Sequence, residues 1–329
     1  VDDVDPDPLG LYYRSGAGRE RTLAASVEAW ADVWLRPHVL TDVTTVDTGV
    51  CSLGEQLETP LIAAPTAFVG LLHDDAEAGL IQAATGAGAV PVVASRSTTP
   101  VEVYGQDALW WQQIYAYTDW SLTEDLAVRA AARGARALVL TVDAPILPSN
   151  RKFRRQQLDL PDDLLLANHP GATDAAAALQ SPAVTGGSIE RLHRASGLPV
   201  IVKGVLRGDD ARCAVDHGAA MVWVSNHGGR QLDGAVPTAW VLAEVRAAVP
   251  DGTQVIVDGG IRSGKDVLVA IALGADLVAL GRPVADGMRA AGRDGVRDVL
   301  ISMASELREA MQLCGVTSVA EITADLIRH

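Results

Sequence analysis

His227 and Arg230 lie three residues apart in the run Ser225-Asn226-His227-Gly228-Gly229-Arg230-Gln231-Leu232-Asp233. An imidazole exchanges protons near neutral pH, and a guanidinium grips a carboxylate or phosphate through paired donors. The intervening glycines let the backbone turn sharply. Because the run follows the apolar stretch Ala220–Val224, it reads as a strand end presenting a base and an anion clamp to one small molecule. Two more strand ends carry related chemistry, Asp258-Gly259-Gly260-Ile261-Arg262 and Gly281-Arg282. Glycines there let backbone N–H groups approach phosphate oxygens, and Arg262 and Arg282 add charge-assisted donors. Either turn alone could be merely tight; two in register, each with an arginine, point to a phosphate. Asp258 can accept from a sugar or polyol hydroxyl. Lys203 continues the apolar run Val200-Ile201-Val202, where a buried ammonium needs a compensating partner.

The elements that must position these groups follow one rhythm. Strands are expected at Leu61–Ala67, Ala89–Ser95, Leu109–Tyr117, Ala137–Asp143, Pro199–Val205, Met221–His227, Gln254–Gly260 and Leu277–Arg282. They are apolar and often β-branched, as strands buried on both faces are. Helical stretches lie between them at Asp74–Gly88, Leu122–Gly134, Asp209–Gly218, Thr238–Val249 and Gly264–Gly274, and closing helices follow Pro283. Eight strands alternating with helices predict an α/β fold, a (β/α)8 TIM barrel forming a single domain over residues 1–329. An open dinucleotide-binding sheet would want GxGxxG after its first strand, where this chain has Ala64-Pro65-Thr66-Ala67. Residues 161–187, rich in Ala, Asp, Pro and Gly, are expected to form a lid loop after strand four. The acidic, proline-broken start predicts a partly disordered lead-in over residues 1–18.

A formal net charge of −14 leaves no basic stripe for nucleic acid or anionic membranes. Cys51, Cys213 and Cys314 are scattered, without CxxC or Cys/His spacing. No metal site and a reduced, cytoplasmic setting are therefore expected. No apolar stretch is long enough to cross a membrane, and no basic-then-apolar leader is visible. His73, His193 and His217 fall on expected helices or their edges, without a motif, and read as surface residues.

With these motifs in hand, the chain resembles the FMN-dependent α-hydroxy-acid oxidases and dehydrogenases over nearly its whole length. The most specific motif is Ser225–Asp233. Pro65-Thr66-Ala67, Gln113-Ile114-Tyr115, Leu140–Pro145, Val202-Lys203-Gly204, Asp258–Arg262 and Gly281-Arg282 support it, in family order. The resemblance implies oxidation of a 2-hydroxy acid to the 2-oxo acid. His227 is then the base, and Asp143 holds its other ring nitrogen. Arg230 clamps the substrate carboxylate, with Tyr115 and Tyr12 donating hydroxyl hydrogen bonds. Lys203 sits beside flavin N1, where negative charge collects while electrons enter at N5. Pro65, Thr66, Ala67, Ser95, Gln113 and Thr141 hold the ring system. Ser225, Asp258, Gly259, Gly260, Arg262, Gly281 and Arg282 complete the FMN site.

Three positions depart from the family pattern. Asn150 stands where relatives carry a second substrate-binding arginine, and the adjacent Arg151, as a neighbour in an expected extended loop, is expected to point elsewhere. Arg96 follows Ser95, where an aromatic or small residue is usual. It is expected to restore positive charge from the opposite wall and so turn the substrate or change its class. Ala94 replaces a serine near the flavin. The chain is short for the family, with most of the leading helix missing and a trimmed lid, which favours a bulky or tethered substrate, and an aryl acid of mandelate type is expected. Alanine and arginine abundance suggests a GC-rich bacterial source. Ala67 leans towards O2 as electron acceptor, and a homotetramer is the family expectation. Two other readings stand at this point: a non-redox phosphate-binding barrel (isomerase or synthase), and a flavin-binding protein with an altered substrate class.

Overall fold

A computed structural model describes residues 7–105, 108–146, 160–161, 164, 166–172 and 178–328. Eight parallel strands close into a barrel: β1 (Leu61–Ala63), β2 (Val90–Val93), β3 (Trp111–Tyr115), β4 (Leu138–Thr141), β5 (Val200–Val205), β6 (Met221–Val224), β7 (Gln254–Val257) and β8 (Leu277–Leu280). Neighbours in sequence are neighbours in space, and β8 returns to pair with β1. The expected (β/α)8 barrel is the fold observed. All but β5 stop two to four residues short of the expected run, because the last residues of those runs belong to loops at the C-terminal rim.

Strand alternation decides which side chains see the interior. Along β6, Met221 and Trp223 pack inside with Ile62, Ile201, Ile256 and Leu277. Val222 and Val224 pack outward against the helices. Continuing that period of two, Gln113, Thr141, Lys203 and Asp258 each follow or precede an outward residue and so project into the top of the barrel. The floor beneath them is closed by Trp111 and Trp223, both at most 1% exposed.

Helices α3 (Ala76–Gly86), α4 (Trp120–Ala132), α6 (Gly208–Asp216), α7 (Thr238–Ala248) and α8 (Gly264–Ala272) lie within about two residues of expectation. α5 (Gly186–Ser196) was not anticipated; it starts at the end of the expected lid and is set by a capping box at Thr185 and Ser188. The closing segment is one long helix, α9 (Arg282–Cys314), kinked at Ala291 and Gly292. No helix among the described residues is long and apolar enough to cross a membrane.

The expected disordered lead-in is corrected from Asp7 onward. α1 (Pro8–Arg14) begins with proline at its first position and the Asp7 carboxylate capping Gly10. Tyr13 is buried, and its hydroxyl donates to the Phe68 carbonyl at 2.6 Å. α2 (Arg21–Ala31), also unanticipated, starts where Asp233 accepts from the Arg19 N–H at 2.8 Å and the Thr22 N–H at 3.1 Å. The acidic end of the Ser225–Asp233 motif thus caps a helix over two hundred residues earlier.

α2 also dictates a glycine. Gly260 has φ +93°, and a Cβ there would lie 2.0 Å from the Ser26 carbonyl oxygen. Gly260→Ala is expected to lower apoprotein stability by about 2–3 kcal/mol, read as the denaturant midpoint at unchanged m-value.

Candidate active site

The eight strand ends surround a cavity of about 540 Å³. His227 enters it from the loop after β6. Its backbone is left-handed (φ +56°), as are Gly228 (+60°) and Gly229 (+72°). A non-glycine residue there is disfavoured, and the surroundings hold it in place. The His227 N–H donates to Ser225 Oγ at 3.0 Å, and the Arg230 N–H closes the turn on the His227 carbonyl. His227 Nδ1 lies 2.9 Å from Asp143 Oδ1. Nδ1 is thereby turned towards Asp143, and the ring faces the cavity.

Asp143 does not line the cavity; it braces the histidine from behind. Gly204 makes room for it. At φ +113° on a bulge of β5, a Cβ on Gly204 would meet the Asp143 side chain at 2.6 Å. Burial alone would raise the Asp143 carboxyl, but His227 and Lys203 outweigh it and hold the group below its usual range.

Lys203 is 4% exposed. The partner expected from a flavin is supplied by the protein itself: Nζ donates to Ser225 Oγ at 2.8 Å and lies 3.2 Å from Asp258 Oδ2. Ser225 Oγ in turn donates to Asp258 Oδ1 at 2.7 Å. Asp258 therefore spends both oxygens on Lys203 and Ser225, although it also faces the cavity. Ser225 is a brace behind the cavity wall. So is Ser95, whose N–H and hydroxyl both donate to Gln113 Oε1, at 3.0 and 3.2 Å. Gln113 Nε2 then donates to Thr141 Oγ1 at 3.0 Å. This fixes the Gln113 amide and leaves the Thr141 hydroxyl hydrogen for another acceptor.

Arg230 reaches under α1. Its Nη1 donates to the carbonyls of Tyr12 (2.7 Å), Ser15 (3.0 Å) and Tyr13 (3.3 Å), and its guanidinium lies 5.2 Å from the Tyr12 ring. Tyr12 and Tyr115 both face the cavity, with Pro65, Thr66, Ala67 and Arg96. Burial pushes the Tyr115 hydroxyl up, so it remains a donor at neutral pH. Residues missed at the sequence level include Tyr13, Phe68 and Gln180, which also line the cavity. Tyr13 carried a signal, its place beside Tyr12, but Gln180 reaches the wall only through the fold. Asn150 and Arg151 lie outside the described residues, as does much of the expected lid. His193 is exposed, and His73 and His217 are partly exposed, as expected.

At the far end, Gly259 (φ +94°) and Gly260 form the turn after β7, and Gly281 the turn after β8. A Cβ on Gly281 would meet nothing within 4 Å, so its backbone faces open space. Arg262 and Arg282 converge there. Arg282 Nε is buried with no hydrogen-bond partner. Burial first, then the charges of Arg230 and Arg262, lower Arg282 to about 10; burial likewise lowers Arg262. Clustered, desolvated guanidiniums call for an anion of more than one charge, and a phosphate monoester at a glycine-walled turn meets that need. Above it the cavity offers a cation, an amide, a hydroxyl and the Pro65–Ala67 backbone, the donor set a flavin ring requires. The residues present fit FMN.

The sequence matches the model of the FMN-dependent dehydrogenase family over residues 4–329. The chain belongs to that family. Among family relatives, it is 40% identical over 331 residues to the 4-hydroxymandelate oxidase of Amycolatopsis orientalis, covering 96% of this chain and 92% of that protein. It is 39% identical over 336 residues to the L-lactate oxidase of Nostoc sp., with the same coverage. A crystal structure of mandelate oxidase matches with a TM-score of 0.90 at 40% identity, covering 99% of this chain and 94% of that one. A mandelate oxidase mutant solved with a C4a-OH-FMN adduct matches at 0.89 and 39% identity, covering 97% and 94%. FMN is the cofactor of this dehydrogenase-family enzyme, and the non-redox reading of the phosphate end falls away.

The lowered Arg282 value has a definite sign. The unfolded chain holds this proton more tightly, so stability rises as pH climbs above about 10 and is diminished below that. At neutral pH an anion gives the same relief. FMN should therefore raise the melting temperature. Arg282→Met should weaken FMN binding by about 10–100-fold, while leaving the apoprotein no less stable than the parent. Flavin fluorescence titration and calorimetry of both apoproteins check this.

Proposed function

We propose that the enzyme oxidises a 2-hydroxy acid bearing an aryl group to the 2-oxo acid, with O2 as final electron acceptor. The observation that carries this is the shared cavity of His227, braced by Asp143, and Arg230, with the Lys203 ammonium deeper in the same space. In this reading Arg230 takes the substrate carboxylate on the edge of its guanidinium turned from the α1 carbonyls. Tyr12 and Tyr115 donate to the substrate's oxygens, and Arg96 forms part of the opposite wall. His227 accepts the hydroxyl proton at Nε2. Asp143 holds Nδ1 and stabilises the imidazolium that results. Bound FMN supplies the two-electron acceptor, completing the removal of two electrons and two protons from the alcohol carbon and its oxygen. Gln113, Thr141 and the Pro65–Ala67 loop orient the ring system. Lys203 places fixed positive charge where reduction accumulates negative charge. Gly259, Gly260, Arg262, Gly281 and Arg282 hold the phosphate, and Asp258 accepts from a ribityl hydroxyl.

The aryl preference is supported by the Tyr12, Phe68 and Tyr115 wall and by the hydroxymandelate- and mandelate-oxidising relatives. Oxygen as acceptor is supported by the oxidase relatives. Free thiols at Cys51, Cys213 and Cys314 support a reducing, cytoplasmic location, and the abundance of alanine and arginine supports a bacterial source. Exposed Trp34, Val39, Leu40 and Leu313 support a homotetramer.

The purified protein should be yellow and lose its flavin absorbance anaerobically on adding mandelate or 4-hydroxymandelate. A panel that includes lactate and glycolate and bleaches with none of them removes the proposal. Asp143→Asn should retain FMN and its spectrum but lower the anaerobic reduction rate by about 10²–10⁴-fold. His227→Asn should lower it at least as far.

A further inference from the structure

The basic side chains of the cavity outnumber the charges that FMN and a simple hydroxy acid bring. Arg96, Lys203, Arg230, Arg262 and Arg282 line it against a single carboxylate, Asp258, among the described residues. Asp258 neutralises Lys203. A phosphate monoester carries about −1.5 to −2 at neutral pH and accounts for Arg262 and Arg282. One substrate carboxylate accounts for Arg230. Arg96 is left over.

Its surroundings set Arg96 apart from an ordinary structural arginine. Nη2 donates to two neutral acceptors, the Ala178 carbonyl at 3.2 Å and Gln180 Oε1 at 3.4 Å. Nε is buried without a partner. Among the described residues no carboxylate forms an ion pair with it. Glu77, a buried acid of α3, is spent on the hydroxyls of Thr98 and Thr99 and the Thr98 N–H. Arg96 follows β2 and Arg230 follows β6, strands four apart on a ring of eight. Arg262 and Arg282, after β7 and β8, stand on the phosphate side. One carboxylate held by Arg230 therefore leaves Arg96 facing the other end of the substrate.

We infer that the substrate carries a second anionic group, remote from its 2-hydroxy acid, and that Arg96, steadied by Gln180, selects it. This rests on the hydroxy-acid reading above and narrows it to diacids or aryl acids with an acidic substituent. Loss of a charge-assisted contact corresponds to roughly 10–150-fold in a rate or affinity ratio, so Arg96 works as a specificity residue.

The experiment uses the FMN-loaded enzyme and matched probes: 4-carboxymandelate against mandelate, and 2-hydroxyglutarate against 2-hydroxybutanoate. Anaerobic flavin reduction gives the rate, and flavin difference spectra with 2-oxoglutarate and 2-oxobutanoate give binding without turnover. The expected result is a preference of at least tenfold for each dianion in both readouts. Arg96→Gln should collapse the dianion-to-monoanion ratio towards one, and Arg96→Lys should restore part of it. Reduction by the monoacids with no dianion preference overturns the second-anion reading and leaves hydroxy-acid oxidation standing. Reduction by neither set overturns both. A parent preference that survives in Arg96→Gln overturns the role of Arg96.

Discussion

A lysine buried inside the barrel is the constraint around which the active face is organised. Lys203 sits among apolar side chains over the Trp223 ring, 5.5 Å from its centroid. An unpaired ammonium there would be prohibitively desolvated. Ser225 and Asp258 meet it from β6 and β7, so three strand ends are tied by one polar chain. The same serine accepts the His227 N–H and helps hold that residue in its left-handed conformation. Catalytic geometry at the imidazole and charge at the top of the barrel are thus one network, and a change to any member is felt by the others.

A second theme is that glycines clear paths for neighbouring groups. Gly204 yields to Asp143, Gly228 to Arg282, and Gly260 to the α2 backbone. Each contact joins segments far apart in the sequence. The anion site is the exception. Among the described residues its arginines form no ion pair with a carboxylate, and burial with mutual repulsion makes the cavity receptive to a cofactor phosphate.

The strands were legible because their signal is local: short apolar, β-branched runs separated by helical stretches. The site was legible where identity and a strand end coincide, as at His227, Arg230, Lys203 and the two glycine–arginine turns. What escaped was long-range. Nothing near Asp233 announces that it caps α2, and nothing near Ser95 or Ser225 says that their hydroxyls face other side chains instead of the cavity. The lead-in looked disordered from composition, yet Tyr13 and the Arg230 contacts supply docking that composition does not register. α5 escaped because its polar, glycine-led start follows a biased segment that masks its period.

The arrangement at Arg230 has an implication for how the molecule fails. One guanidinium nitrogen serves three backbone oxygens of the first helix and its exit, and the barrel's closed ring of strands does not include that helix. Peeling α1 away would therefore leave a cooperatively folded cylinder whose clamp has lost its rest position. Damage confined to this corner would yield a species that passes as native by size and circular dichroism while being catalytically silent.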